Sequence, residues 1–405
     1  MPLIIHDARI LSLEGDAPRR GRALGDVGVI PRGHVVVEGG LIAAMGEGDA
    51  PDLPGDRIDA RGRVLLPGFV DAHSHACWAG QRLDEWDRRR AGASYLEILA
   101  AGGGIMSTVR AVGAASEDEL TDLLVGRLAV MLHEGTTSVE VKSGYGLSPP
   151  GELKMLRAIR RAGERSPVSV IPTACLGHAI DASHPGRRDG FVRETIEVTL
   201  PAVHAEFPGI AVDAYCEDGA WSLQDCVRLF EAAASLGHPV RIHADQFHES
   251  GMTRWAVAHG ARSVDHLEAT SSDVLAELAS SGTFGVMLPA SGFHADDRYA
   301  DGRAFVDAGG ALVVATNFNP GTAPCASMPM AIALAVRKLG LTPCEAIAAT
   351  TANAAALLGM RDRGRIEVGL RADLVLLRHR DERELAFEFG ARAADVVVCG
   401  GVIVS

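Results

Sequence analysis

From residue 67 to residue 355, apolar runs of strand length alternate with segments of helical pattern. Parallel neighbours in a sheet need a crossover, so a strand–helix–strand alternation implies parallel β/α units. Eight candidate strands end near His75, Lys142, His178, Glu217, Asp245, Glu268, Pro289 and Asn317. The spacing predicts helices over 117–133, 152–161 and 223–236, with another over 327–338 after the last strand. Eight such units predict an α/β fold: a closed (β/α)8, TIM-like barrel. Polar residues gather where the strands end, which is the face on which barrels of this kind build their sites.

The two ends of the chain read differently. Stretches 4–10, 34–38 and 41–45 are strand-like, with Gly39-Gly40 as a hairpin signal. So are 372–377 and 396–404, the latter with Gly400-Gly401 as a turn inside it. The expected organisation is therefore a small β-sandwich-like domain built from 1–66 plus 356–405. It flanks a barrel spanning 67–355.

Composition narrows the function. Hydrophobic residues make up 47% of 405, enough for a sizeable core. The net charge is −13, which argues against a nucleic-acid surface, since phosphate binding needs clustered Lys and Arg. The one dense basic run, Arg88-Arg89-Arg90, sits beside Asp84, Glu85 and Asp87 and reads as a solvated mixed-charge face. Seven scattered cysteines do not form a disulfide framework and fit free thiols in a reducing compartment. Residues 1–7 carry neither a basic region nor an apolar signal core. No run of about 18 apolar residues predicts a membrane span. The expectation is a cytoplasmic protein without a membrane partner.

The strongest local signal is Pro67-Gly68-Phe69-Val70-Asp71-Ala72-His73-Ser74-His75. Alternate residues of a strand face one side, so His73 and His75 can share one metal ion. The plainer alternative is two structural histidines. Val240-Arg241-Ile242-His243-Ala244-Asp245-Gln246 offers His243 as a third ligand. Three imidazoles and one oxygen suit a single zinc or iron ion and leave room for water. His266, in Ser263-Val264-Asp265-His266, either polarises substrate or water, or orients its neighbours. Asn317 stands where a fourth ligand is expected. Asn319, Gly321 and Thr322 follow in a polar loop that is either part of a site or ordinary turn chemistry. Tyr145, between two glycines, can lean over a ligand. Arg82 is a candidate carboxylate clamp, because its planar fork binds two oxygens. Cys77, Cys175 and Cys325 lie near these motifs, as apolar filler or as a pocket suited to a soft atom such as sulfur.

Together the motifs resemble the amidohydrolase superfamily: Pro-Gly-x-x-Asp-x-His-x-His on the first strand, His on strands five and six, and an Asp on strand eight. Within it the chain is most similar to the imidazolonepropionase family. The carriers are the 102–109 segment Gly-Gly-Gly-Ile-Met-Ser-Thr-Val, Lys142-Ser143-Gly144-Tyr145-Gly146-Leu147 and Asn319-Pro320-Gly321-Thr322. The 369–375 segment Gly-Leu-Arg-Ala-Asp-Leu-Val resembles the return into that superfamily's small β-domain. The resemblance implies hydrolytic opening of 4-imidazolone-5-propanoate to N-formimidoyl-L-glutamate in histidine degradation, by a metal-activated water. It implies that His73, His75, His243 and Asn317 hold one zinc or iron ion. Arg82 would take the propanoate, Tyr145, His178 and Gln246 would line the ring, and Gln246 would also join His266 and Asn317 as a catalytic residue. His266 would assist the developing charge, and Asn319, Gly321 and Thr322 would contact substrate or product carboxylate. A homodimer through surface helices is compatible with such a barrel.

The chain departs from this pattern at one place. The superfamily calls for Asp as metal ligand and proton shuttle where Asn317 stands. A carboxamide offers a carbonyl oxygen to a metal but accepts no proton as a carboxylate does. Three readings follow: an enzyme weakened by roughly 10²–10⁴-fold, a hydrolase or deaminase of a related ring (a 2-thioxo-imidazolone acid is one case) that uses another base such as His266, or a non-catalytic binder of a small acidic ring.

Overall fold

The structure, a computed structural model, describes residues 1–92 and 103–405. Gly102, the first residue of the 102–109 motif, lies outside the described residues.

The N-terminal part forms β1 (Leu3–Leu11), β2 (Val29–Glu38), β3 (Leu41–Glu47), β4 (Asp56–Asp59) and β5 (Val64–Pro67). Gly39 and Gly40 join β2 to β3 with φ of +60° and +84°, as a tight hairpin requires. The barrel strands follow: β6 (Phe69–Asp71), β7 (Thr136–Lys142), β8 (Ser169–Gly177), β9 (Ala211–Cys216), β10 (Val240–Ala244), β11 (Ser263–His266), β12 (Phe284–Met287) and β13 (Leu312–Val314). The chain ends in β14 (Leu374–Leu377), β15 (Ala394–Cys399) and β16 (Val402–Ile403), the last two joined by Gly400-Gly401.

Both termini build one sheet, in the order β16-β15-β14-β5-β1-β2-β3, with β4 beside β1. The junction is β5, which pairs parallel with β1 and antiparallel with β14. Leu3, Ile5, Ile10, Val35, Val37, Leu65, Leu374 and Leu376 fill a core of their own on this sheet. The chain then passes straight into the barrel through Gly68. A Cβ there would lie 2.2 Å from Thr137 Oγ1, so only glycine fits the crossing.

Strands β6 to β13 are all parallel and hydrogen-bonded in chain order. The ring closes beyond the ends of β6 and β13. Asn317 N–H donates to His73 O at 3.0 Å, His75 N–H donates to Phe318 O at 2.9 Å, and Ser74 bridges Phe318. Closure therefore occurs at the His73–His75 motif itself.

The expected helices are present as Glu117–His133, Pro149–Glu164, Leu223–Ser235 and Met328–Lys338. Five of the eight strands stop one or two residues short of the expected ends. The first stops at Asp71 rather than His75, and the last at Val314 rather than Asn317. The reason is local. Asn317 has φ of +54° and His266 of +92°, so the chain turns out of strand geometry at the site. Among the described residues no helix is long and apolar enough to cross a membrane.

Candidate active site and metal centre

His73, His75 and His243 converge at the C-terminal mouth of the barrel. Ring centroids lie 4.5 Å apart for His73–His243, 5.2 Å for His75–His243 and 5.3 Å for His73–His75. The Nε2 atoms of His75 and His243 stand 3.2 Å apart. Each outer nitrogen of His73 and His243 meets a carboxylate: His73 Nδ1 lies 2.6 Å from Asp265 Oδ2, and His243 Nδ1 lies 2.9 Å from Asp213 Oδ1. Those contacts place the protons on Nδ1 and leave the Nε2 lone pairs facing inward.

Burial keeps these rings neutral. It drives the pKa of both His73 and His75 far below the ordinary imidazole range, with Lys142 adding to the effect at His73 and His178 at His75. His243 is also lowered by burial, although Asp213 opposes the shift. Neutral imidazole is the metal-binding form. Among the described residues His73 Nε2 and Asn317 Oδ1 are buried without a hydrogen-bond partner, and the Nε2 atoms of His75 and His243 face each other. Unpaired buried acceptors are costly, and a cation among them satisfies that cost. The residues thus fit a divalent ion.

Beneath the imidazoles lies a buried ionic network. Lys142 Nζ is 2.7 Å from both Glu140 Oε1 and Asp213 Oδ2, and 4.0 Å from Asp265 Oδ2. Burial and Arg241 oppose its charge, yet the three carboxylates hold its pKa above the ordinary lysine value. Arg241 Nη2 reaches Asp265 Oδ2 at 2.7 Å and its Nε donates to Ser263 Oγ at 3.0 Å. Lys142 and Arg241 thereby hold the two carboxylates that orient His243 and His73. Sequence reasoning did not single out Glu140, Asp213 or Arg241. The signal was charge inside apolar strands, as in Val139-Glu140-Val141-Lys142 and Val212-Asp213-Ala214. A charge is found at such a position when it is paired.

His266 closes the inner face. Its ring lies 5.6 Å from His243 and 6.0 Å from His73, and one nitrogen of each of the three falls within 4.8 Å of the others. His266 Nδ1 is 3.2 Å from Glu268 Oε1, which leaves Nε2 as the nitrogen without a carboxylate. Asn317 Nδ2 donates to Ser291 Oγ at 2.7 Å, another partner the sequence did not reveal. Asp71 accepts from the Thr316 hydroxyl and amide behind the motif, and its burial raises its pKa to about 7.

Tyr145 and His178 stand beside His75. His178 stacks on His75 at 4.6 Å with a 16° interplanar angle, and Tyr145 lies 5.0 Å from His178. Gln246 Oε1 accepts from Tyr215 O–H at 2.8 Å. Arg82 meets the opposite loop: a Cβ on Gly321 would lie 3.0 Å from Arg82 Nη1, so glycine permits that approach. Arg82 Nη2 pairs with Glu85 at 2.5 Å, and its Nε is buried without a partner among the described residues. Asn319 is spent on its own loop. Its Oδ1 accepts from the amides of Gly321 and Thr322 at 2.8 Å each, and its Nδ2 donates to Asn317 O at 2.6 Å. Cys77 and Cys175 are fully buried, and burial raises the Cys77 thiol to about 12. Apolar filler describes Cys77 well. Cys175 lies behind His243, its sulfur within 4.8 Å of a ring nitrogen of His243 and an oxygen of Asp213.

Residues 64–404 match the model of the amidohydrolase family. The imidazolonepropionase of Herpetosiphon aurantiacus is 43% identical over 399 residues, covering 96% of this chain and 93% of that protein. That of Rubrobacter xylanophilus is 42% identical over 412 residues, with 99% and 98% covered. The chain belongs to the imidazolonepropionase family of amidohydrolases. Solved structures carry the same fold at low identity. A triazine hydrolase variant superposes with a TM-score of 0.77 at 16% identity, covering 99% of this chain and 94% of that one. A 5-methylcytosine deaminase from Klebsiella pneumoniae does so at 0.74 and 16%, with 100% and 97% covered. Membership of the amidohydrolase family implies a divalent metal, and the imidazole cluster supplies donors for it.

Proposed function

We propose that this chain hydrolyses the ring of 4-imidazolone-5-propanoate to N-formimidoyl-L-glutamate, the ring-opening step of histidine degradation. The observation that carries this reading is the pairing, at one barrel mouth, of inward-facing neutral imidazoles with a guanidinium beside a glycine loop. It joins a hydrolytic centre to a carboxylate receptor. The names of the relatives agree with it.

In this reading His73, His75, His243 and the Asn317 carbonyl oxygen hold one zinc or iron ion. When bound, the ion acts as a Lewis acid that polarises a carbonyl and yields a nucleophile from water near neutral pH. Arg82, held by Glu85 through Nη2, takes the propanoate. Gly321 and Thr322 close that end of the pocket, in a loop shaped by Asn319. Tyr145 and His178 line the ring, and Gln246, held by Tyr215, stands at its rim. Water adds to the ring carbonyl carbon, the carbonyl C–N bond breaks, and the departing nitrogen takes a proton. His266 carries that proton, because its Nε2 is free and Asn317 accepts none. Seven free cysteines fit a cytoplasmic setting for this chemistry.

The test is product identity. The metal-loaded chain incubated with 4-imidazolone-5-propanoate in ¹⁸O-water yields N-formimidoyl-L-glutamate carrying one ¹⁸O in the new carboxylate. Release of ammonia with the ring intact would contradict the proposal.

A further inference from the structure

Among the described residues no cation stands beside the buried carboxylate of Glu152. It sits in the first turn of the helix Pro149–Glu164, with 2% of its surface exposed. Its backbone partners are the amides of Gly144, at 2.9 Å on one oxygen, and of Gly146 and Leu147, at 2.8 and 2.9 Å on the other, with the Ser143 side chain beside them. One side chain thus ties down the whole loop that carries Tyr145. The loop has no slack. Gly144 has φ of +111°, and a Cβ on it would lie 2.8 Å from His178 Nδ1 and 2.9 Å from Cys175 O.

The other side of Gly144 faces the pocket wall. Its carbonyl lies 3.1 Å from His178 Nδ1, an arrangement that makes Nδ1 the protonated nitrogen of a neutral ring. His178 Nε2 has no hydrogen bond among the described residues, and it therefore presents a lone pair. We infer that Glu152 is a positioning residue which, through the Gly144 peptide, fixes His178 as a hydrogen-bond acceptor, so that the pocket selects a flat ring with an N–H at that edge. The identity of the ring rests on the proposed function. The link from Glu152 to His178 does not.

Two measurements keep these apart. The first is the ¹⁵N spectrum of histidine-labelled protein without metal, with His178 assigned by its loss in H178Q. The unaltered chain shows His178 as a single Nδ1–H tautomer. E152Q is isosteric but turns an amino group toward an amide donor, and it shows a mixture or the opposite tautomer. The second uses the metal-loaded chain and hydantoin-5-propanoate with its two N-methyl derivatives. Methylation of one ring nitrogen weakens binding about tenfold or more, since a buried acceptor loses its donor. In E152Q that penalty shrinks. An Nε2–H tautomer in the unaltered chain would overturn the inference, even if E152Q failed to fold. So would a tautomer and methyl penalty both unchanged in E152Q. If no hydantoin binds, the ring-opening reading falls, and the tautomer alone decides the role of Glu152.

Discussion

Asn317 gives one hydrogen of its carboxamide to Ser291 Oγ, 2.7 Å away, and leaves its Oδ1 buried without a partner among the described residues. A free Asn amide can turn either end inward. Here the amino group is spent on Ser291, and the oxygen is the end left for a cation. Ser291→Ala should release that constraint. Loss of an outer partner typically weakens metal binding by about 10–100-fold. Competition with a chromogenic chelator measures this, and an unchanged affinity would remove Ser291 from the account.

Arg82 is held by Glu85 on one side and approached by Gly321 on the other. Arg82→Ala should raise KM by about 10²-fold or more while changing kcat less, since a charged hydrogen-bonded pair contributes on the order of 1.5–3 kcal/mol per contact. Arg82→Lys should recover only part of the loss, because an ammonium cannot form the two-pronged contact. Equal KM in all three proteins would exclude the clamp.

Acid should destabilise the metal-free protein. His73, His75 and His243 are depressed below 6.5, and His178 falls to about 3, each chiefly through burial. The unfolded chain therefore binds more protons than the folded one from about pH 6.5 downward, and stability falls as pH drops through that window. Asp71, raised to about 7, and Glu152, also raised by burial, act in the opposite sense. Four imidazoles outweigh two carboxyls. The Tm of the chelated protein should be lower at pH 5 than at pH 7, which differential scanning fluorimetry reads directly. A higher Tm at pH 5 would mean that these rings are charged in the folded state.

Much of this was legible in the residues, for physical reasons. Period-two alternation placed His73 and His75 on one face, and the strand-end rule brought His243 and His266 to the same mouth. Gly39-Gly40 and Gly400-Gly401 marked their turns because only glycine takes those φ values cheaply. The long-range partners were not legible. Nothing local links Lys142 to Asp213, Glu152 to Gly144 and then His178, or Ser291 to Asn317. Those contacts exist only because the barrel brings distant strands and helices together. Asn319 reads in the sequence either as a ligand contact or as turn chemistry, and its side chain hydrogen-bonds within its own turn. The strand ends were set too late at His75 and Asn317, because the left-handed backbone of Asn317 leaves no mark in the residues around it.

The measurement that bears most directly on the account is turnover of 4-imidazolone-5-propanoate by the metal-loaded chain beside its Asn317→Asp counterpart. Both forms should open the ring, the Asp form faster by up to roughly 10²–10⁴-fold, the usual worth of a general base. If neither form turned the substrate over with metal bound, the pocket would not be that of an imidazolone hydrolase.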